Sequence, residues 1–160
     1  MNVFNEQHQK LIRNLLLERV DFIIIGGYSV IFHGYKRTTG DVDIWLKPVN
    51  DNRDKVMKAL LLTGFEKEDL KEISEQDFSK YLVFSIWDEP EKADFITRIN
   101  LVEYEDADKQ KVTLDWEGLN IPFLHLNHLI LSKMNTGRLQ DKADIEKLQQ
   151  LQQKNKRDNL

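Results

Sequence analysis

The chain has 160 residues, no cysteine, and 23 basic against 27 acidic side chains, a formal net charge of −4 at pH 7. This length is typical of one domain, and the lack of cysteine excludes disulfides, thiolate metal sites and a cysteine nucleophile. The slight acidic excess argues against broad, non-specific nucleic-acid binding but is compatible with a local basic patch.

Neither a targeting segment nor a membrane span is predicted. The longest near-apolar stretch, residues 22–32, is interrupted by Gly26-Gly27 and is too short to cross a bilayer. The N-terminal residues MNVFNEQHQK lack the apolar core of a signal peptide. These features predict a soluble, cytoplasmic protein without membrane contact.

Hydrophobic periodicity predicts alternating helices and strands in the first half of the chain, and strands followed by helices in the second. The run Phe-Ile-Ile-Ile is typical of a strand buried on both faces. In chain order we expect an amphipathic helix formed by the first twenty residues, a strand at 22–25, a short helix at 28–34, a strand at 41–46, a helix from 50 or 51 to 64, strands at 81–86 and 93–99, a hairpin of 111–115 with 119–124, a helix from 127 to 137 and a last helix from about 139. Charged residues fill positions 66–80, where no element is predicted.

This order predicts an α/β (α+β) domain with a small mixed β-sheet flanked by helices and with C-terminal helices. We expect a single domain over residues 1–150. The tail over residues 151–160 loses its apolar residues, and we expect it to fray.

Two carboxylates, Asp41 and Asp43, stand two positions apart on the second predicted strand. Residues i and i+2 of a strand share a face, so both side chains point the same way, roughly 7 Å apart at the backbone. Such a pair repels unless one carboxyl is protonated or a cation lies between them. Hard divalent cations such as Mg²⁺ prefer oxygen ligands of this kind. A wet sheet face without function is the alternative, because alternating charge is ordinary on a half-exposed strand.

Gly26-Gly27 ends the first predicted strand. Two glycines can simply make a tight turn, or they can let a phosphate approach backbone N–H groups at the start of a helix. If the second strand returns beside the first, the turn and the two carboxylates become neighbours, and a triphosphate at the turn meets a metal at the carboxylates.

The combined pattern resembles the minimal nucleotidyltransferases of the DNA polymerase β superfamily, and more closely the small bacterial nucleotidyltransferase-like proteins of the abortive-infection toxin type. Those sequences often read GG-x-A-x-x-x-H-G-x-x-R-x-T-x-D-x-D. The residues in register here are Gly26, Gly27, His33, Gly34, Arg37, Thr39, Asp41 and Asp43, with Ser29 in place of the common alanine. The resemblance implies the nucleotidyltransferase fold.

A third acid on a later strand is expected from the same resemblance. The candidates are Asp88, Asp94 and Asp115, and the family's pattern at this place favours Asp94 within Ala-Asp-Phe-Ile. The alternative is that Asp94 only pairs with Arg98 or Lys92. The loop that follows departs from the family, because Leu101 stands where a glycine is common.

The C-terminal stretch also resembles the family, through Lys133, Gly137, Arg138, Asp141 and Asp144. The resemblance implies that Lys133 reaches the triphosphate as a mobile point charge. The alternative, equally weighted, is a salt bridge from Lys133 or Arg138 to the two acids that locks two helices together. We expect Asp141 and Asp144 to position Lys133 rather than to bind metal.

Four further side chains are candidates for a functional role. We expect His33 to be a packed or hydrogen-bonded helix residue rather than a catalyst. His125 and His128 stand three positions apart, but no further histidine or cysteine accompanies them, so a zinc site is not expected. Trp45 points with the two acids, so it either stacks on a base or packs against the protein.

The resemblance thus implies a Mg²⁺-dependent (or Mn²⁺-dependent) enzyme that moves a nucleoside monophosphate from a nucleoside triphosphate to an acceptor hydroxyl. The residues expected to bind the substrate are Gly26, Gly27, Ser29, Arg37 and Lys133. The residues expected to hold metal and act in catalysis are Asp41, Asp43 and Asp94.

The acceptor stays open between an RNA end, a protein and a small molecule, and a cognate toxin or antitoxin partner is expected by analogy. The alternatives are a catalytically inactive binding module of the same fold and an interaction protein that dimerises through its first helix.

Overall fold

The computed structural model describes residues 4–159. The helices are α1 (Glu6–Leu17), α2 (Gly26–Phe32), α3 (Asn50–Thr63), α4 (Lys67–Ser74), α5 (Tyr104–Gln110), α6 (Leu126–Lys133) and α7 (Leu139–Asp158). The strands are β1 (Phe22–Ile25), β2 (Val42–Leu46), β3 (Val83–Ile86), β4 (Ala93–Ile96), β5 (Val112–Trp116) and β6 (Leu119–Phe123).

One six-stranded sheet runs in the order β3-β4-β2-β1-β6-β5. β1 pairs antiparallel with β2 and parallel with β6, and β2 pairs parallel with β4. The outer strands β3 and β5 are antiparallel to their neighbours. The predicted α/β class with a small mixed sheet is therefore confirmed, and the two strands expected to carry the acids, β2 and β4, lie side by side.

Apolar side chains cover the sheet on both faces. On one face α1 and α3 pack together, and Leu11, Ile12 and Leu60 join Ile24 and Ile44 in the larger core cluster. The second cluster forms between the sheet and the helices α5, α6 and α7. The two-sided burial agrees with the wholly apolar run of β1, which predicts a strand buried on both faces.

Trp45 belongs to the second cluster. It is fully buried, its ring meets Tyr104 edge-on at a centroid distance of 5.1 Å, and its Nε1 donates to the backbone oxygen of Thr97 at 3.1 Å. Its indole therefore packs inside the protein, which resolves the open choice between packing and base stacking.

Helix α4 lies in the charged segment 66–80, for which no element was predicted. Glu66 and Asp69 form a reciprocal capping box at its start, while Leu70 is its only buried residue. Such a helix carries almost no hydrophobic periodicity, and its signal lies in the cap. At the other end of the chain, α7 continues to Asp158, through most of the tail expected to fray. Within residues 4–159, no helix is both long enough and apolar enough to cross a membrane.

Candidate active site

Three carboxylates meet on neighbouring strands. The parallel register of β2 and β4 sets Asp43 directly beside Asp94. Asp41 immediately precedes β2, two residues from Asp43, so it lies on the same side of the sheet. The structure thus brings together the three acids that were predicted to do so.

The two other candidates for the third acid lie elsewhere. Asp115 is on β5, at the far edge of the sheet, where its Oδ1 accepts a hydrogen bond from the backbone N–H of Gly118 at 3.2 Å. Asp88 lies outside the strands, in the loop between β3 and β4. Among the three candidates, the sheet register selects Asp94.

Asp43 has the most perturbed carboxyl group of the cluster. Burial, and then the negative charges of Asp94 and Asp41, raise its pKa to about 7, against smaller opposing effects of Lys133 and Arg138. A carboxyl group with this pKa resists carrying its charge without a nearby cation. The cluster therefore has the electrostatics of a site that favours a cation.

The glycine turn lies directly against this carboxylate. Ile25 pairs with Asp43 across β1 and β2, and Gly26 follows with φ +67°. A Cβ on Gly26 would come within 2.9 Å of the Asp43 Cγ, and a Cβ on Gly27 within 2.8 Å of the Thr39 Cβ. The missing side chains thus let the backbone of Gly26 approach Asp43 and the backbone of Gly27 approach Thr39, which is more than a tight turn requires.

Replacing Gly26 by alanine is expected to destabilise the protein by about 2 kcal/mol, from a left-handed residue bearing a Cβ and from overpacking against Asp43. Gly118→Ala is the matched control, since Gly118 has φ +81° but a Cβ there meets nothing within 4 Å. We expect about 1 kcal/mol for the control, from backbone conformation alone. Urea denaturation measures both, and equal losses would contradict a steric contribution from Asp43.

Ser29 lies in α2, one turn from these glycines, with its side chain fully buried. Its hydroxyl has no hydrogen-bond partner among the described residues. Because this side chain faces protein rather than solvent, only the backbone N–H of Ser29 is in a position to contact a substrate. The expected role of Ser29 in substrate binding stays a prediction.

Lys92 brings a cation to the carboxylates, and it was foreseen only as an alternative partner of Asp94. Its Nζ lies 3.5 Å from Asp94 Oδ1 and 3.9 Å from Asp41 Oδ2. The negative charge of Asp94 raises the pKa of Lys92. Lys92 stands two residues before Asp94, so the same alternation that pairs Asp41 with Asp43 could have identified it.

Two polar residues complete this side of the cluster, and neither was predicted. The Ser85 hydroxyl, on β3, donates to Asp94 Oδ1. Glu89, in the loop before β4, shares a hydrogen bond with Asp41 that raises the Glu89 pKa. Both lie between the recognised motifs, where the sequence offers no pattern to single them out.

A buried ion-pair network borders the other side of the site. Lys133 Nζ lies 3.1 Å from Asp141 Oδ1 and 3.0 Å from Asp144 Oδ2, and all three side chains are buried. Arg37 also reaches Asp144, with its Nε 3.3 Å from Oδ1. The expected salt bridge between α6 and α7 is therefore present, and Lys133 and Arg37 lie together at the site.

Asp141 receives a further hydrogen bond of 2.7 Å from the Thr136 hydroxyl. Burial alone would raise the Asp141 pKa, but the Thr136 hydroxyl and the Lys133 ammonium outweigh it and leave the pKa below its ordinary value. Asp141 is thus held as a charged partner of Lys133, as expected.

The donor set of the cluster suits a hard divalent cation, since Asp41, Asp43 and Asp94 offer carboxylate oxygens only. Within residues 4–159, no three acidic or histidine side chains converge closely enough to ligate one ion in this conformation. The Lys92 ammonium lies between two of the three carboxylates. A divalent ion bound to these oxygens would therefore compete with Lys92 for the same charge.

The Lys92→Met variant is expected to bind Mn²⁺ about 5-fold more tightly, because two partly exposed ion pairs that compete with the metal are removed. Isothermal titration calorimetry on the purified protein measures the Kd. Lys58→Met, on the exposed face of α3, removes the same charge away from the site. Unchanged or weaker Mn²⁺ binding by Lys92→Met would contradict the competition.

A continuous cleft exposes the cluster. One compartment, of about 560 Å³, is lined by the glycine turn, Arg37, Thr39 and the three carboxylates. A second, of about 710 Å³, extends past Asp94 along β3 and the end of β4. Gly26, Asp43, Asp94 and Lys133 line both compartments. The arrangement can bring two ligands together at the carboxylates.

Solved structures with a similar fold include nucleotidyltransferases. The crystal structure of the lincosamide antibiotic adenylyltransferase LnuA, with lincomycin bound, gives a TM-score of 0.53 at 17% identity, covering 94% of this chain and 99% of that one. A candidate nucleotidyltransferase (TM1012) from Thermotoga maritima gives 0.54 at 16% identity, covering 88% of each chain. At these identities the likeness establishes the fold, which is the nucleotidyltransferase fold.

Residues 1–155 match a family described as a nucleotidyltransferase of unknown function, DUF6036. The chain belongs to this family, which confirms the resemblance to minimal nucleotidyltransferases that its motifs carry. Comparison with curated protein sequences gives no significant match.

Proposed function

We propose that the protein is a Mg²⁺- or Mn²⁺-dependent nucleotidyltransferase that moves a nucleoside monophosphate from a nucleoside triphosphate to a hydroxyl group of an acceptor. The observation that carries the proposal is the register of Asp43 beside Asp94 on parallel strands, with Asp41 alongside and the Gly26 backbone against Asp43. Membership of a nucleotidyltransferase family supports it.

In this proposal the first compartment holds the triphosphate. The backbone N–H groups at the start of α2 lack partners within the helix and are available to phosphate oxygens. Arg37 and Lys133 add positive charge beside them, each now held by Asp144. Asp41, Asp43 and Asp94 would hold the metal, which when bound neutralises charge that develops on the transferred phosphate.

The reaction is an in-line displacement at the α-phosphorus. The acceptor oxygen forms a bond to this phosphorus, the bond to the bridging oxygen of the β-phosphate breaks, and pyrophosphate leaves. Asp94 lines the second compartment as well as the first, so it can orient an acceptor hydroxyl there and accept its proton. The net result is a nucleoside monophosphate esterified to the acceptor.

A label-transfer assay tests the proposal. The protein is incubated with Mg²⁺, each α-³²P nucleoside triphosphate and, in turn, total tRNA, cell protein, and a panel of lincosamides and aminoglycosides. The lincosamides are included because the LnuA neighbour is a lincosamide adenylyltransferase. Label on one acceptor class that disappears with Asp43→Asn is the expected result. Absence of label together with absence of Mg²⁺-dependent triphosphate binding would overturn the proposal.

The second candidate is a binding module that keeps the fold without the chemistry. The Lys92 ammonium between Asp41 and Asp94 favours it, since a resident cation can satisfy the carboxylates without metal. A toxin–antitoxin role in the cytoplasm, with a cognate partner protein, accompanies either candidate by analogy. Co-expression of the protein with neighbouring gene products, scored by cell growth, tests that role.

A further inference from the structure

The second compartment has an outer wall that the proposed mechanism does not use. We call this outer wall the set Tyr81, Val83, Arg98, Ile99 and Asn100, which line the 710 Å³ compartment and not the 560 Å³ one. The wall begins just before β3 and resumes just after β4, so it lies on the Asp94 side of the carboxylates. A ligand on it would be distinct from a triphosphate at the glycine turn.

Arg98 gives the outer wall an uncompensated positive charge. Its Nη2 donates to the backbone oxygen of Ser79 at 3.3 Å, and within residues 4–159 no carboxylate lies within salt-bridge distance of its guanidinium. The other cations of this compartment each have a carboxylate partner: Lys92 with Asp94, Lys133 with Asp141, and Arg138 with Asp141 at 3.8 Å. Arg98 is therefore the cation of the compartment that is available to an anionic ligand.

The same wall exposes apolar and aromatic surface. Tyr81 is 61% exposed, and Val83 is 54% exposed although valine is one of the residue types most often buried. Val83 begins the edge strand β3 and Tyr81 stands two positions before it, and both line the same compartment as Arg98. An exposed aromatic ring next to an unpaired guanidinium is the combination that binds a base and its phosphate.

The charges of the second compartment argue against a polycationic acceptor. Its acidic lining residues are Asp43, Asp94 and Asp141. The first two belong to the carboxylate cluster and the third is held by Lys133. A polycationic acceptor would find no carboxylate on the outer wall and would face Arg98 instead.

We propose that the outer wall binds the terminal nucleotides of a single-stranded RNA, with Tyr81 stacking on a base and Arg98 contacting a phosphate. This inference rests on the proposed function and names its acceptor: the ribose hydroxyl of the RNA end lies towards Asp94. In the transfer step this hydroxyl oxygen bonds to the α-phosphorus, pyrophosphate leaves, and the proton passes to Asp94. The net charge of −4 implies that binding is local to the RNA end rather than spread along the strand.

Fluorescence anisotropy with a 5′-labelled single-stranded RNA octamer bearing a free 3′ hydroxyl tests the inference directly, without transfer. Arg98→Gln and Tyr81→Ala are each expected to weaken binding at least about 5-fold, the lower end for loss of one base–aromatic stack. Arg98→Gln should also reduce the slope of log Kd against log salt by about 1, and Arg98→Lys should restore that slope. Lys58→Gln, on α3, is the control of equal charge change.

A parallel titration with a non-hydrolysable nucleoside triphosphate and Mg²⁺ separates this inference from the proposed function. Triphosphate binding is expected to depend on Asp43 and to be unchanged in Arg98→Gln. Triphosphate binding that is lost in Arg98→Gln would place the donor base on the outer wall and overturn the RNA inference while sparing the transferase. RNA binding that is absent, or equal in all variants, would also overturn the inference, and label transfer to protein would then identify the other class of acceptor. Loss of triphosphate binding altogether would overturn both.

Discussion

Asp43→Asn is expected to lower kcat/KM for nucleotidyl transfer by at least about 10²- to 10³-fold, the usual loss when one group that stabilises transition-state charge is removed. Asparagine keeps the shape of the side chain and removes its charge, so the fold and the glycine turn are expected to persist. The measurement is transfer of α-³²P label to the acceptor under subsaturating conditions.

The matched control for this variant is Asp115→Asn. Asp115 is an aspartate on the same sheet, but at its far edge, and an asparagine oxygen can still accept from Gly118. We expect the control to retain the activity of the unmodified protein. Equal activity of both variants would show that Asp43 takes no part in transfer.

The same substitution is expected to stabilise the metal-free protein, and increasingly so as pH rises. The pKa of Asp43 is about 7 in the folded protein and about 3.9 in the unfolded chain. Because the folded pKa is the higher one, the folded state binds the extra proton between about pH 4 and pH 7, and stability falls as pH rises through that window. Above pH 7 the folded protein carries the full cost of the buried charge.

Asparagine does not titrate, so Asp43→Asn avoids that cost. Thermal unfolding in the presence of a chelator should show little difference from the unmodified protein near pH 4 and the largest gain in Tm at pH 8. A gain that shrinks with rising pH would contradict the raised pKa. Lost activity together with gained stability is the behaviour of a residue kept for function at the expense of the fold.

Much of this site could be predicted from local patterns. The alternation in β2 places Asp41 and Asp43 on one face, and the two glycines mark the end of β1, so their meeting requires only that β2 return beside β1. Asp94 needed the family resemblance, because its position beside Asp43 depends on a parallel pairing between strands about fifty residues apart, which no local pattern encodes.

The features of the site that the sequence did not predict depend on how distant elements pack together. Glu89 and Ser85 reach the carboxylates from a turn and an edge strand whose own sequences carry no functional signature. Trp45 shares the strand with the two acids, yet the neighbouring helix α5 buries it against Tyr104. The sequence defines which face a strand residue occupies, and the packing of distant elements decides whether that face is open.

Lys133→Met is expected to destabilise the protein by about 3 kcal/mol, since breaking a buried pair leaves uncompensated buried charge. The value lies at the lower end of the range for such pairs because two interactions remain in the variant. Asp144 is still paired with Arg37, and Asp141 still accepts a hydrogen bond from the Thr136 hydroxyl. Urea denaturation measures the loss, and Asp144→Asn with the double variant completes a cycle that isolates the Lys133–Asp144 coupling. An unchanged midpoint in Lys133→Met would contradict a structural role for the ion pair.

The measured coupling between Lys133 and Asp144 also decides whether Lys133 must move to contact a triphosphate. Its ammonium is held by two carboxylates at 3.0 and 3.1 Å, so contact with a phosphate requires that it give up at least part of this network. A large coupling to Asp144 would therefore oppose such movement, and Lys133 would act on the triphosphate from its present position. A small coupling, combined with a raised KM for the triphosphate in Lys133→Met, would mark a lysine that moves to the ligand. Arg37 shares Asp144, so the same movement would leave Asp144 paired and keep α7 attached to the loop that carries Arg37.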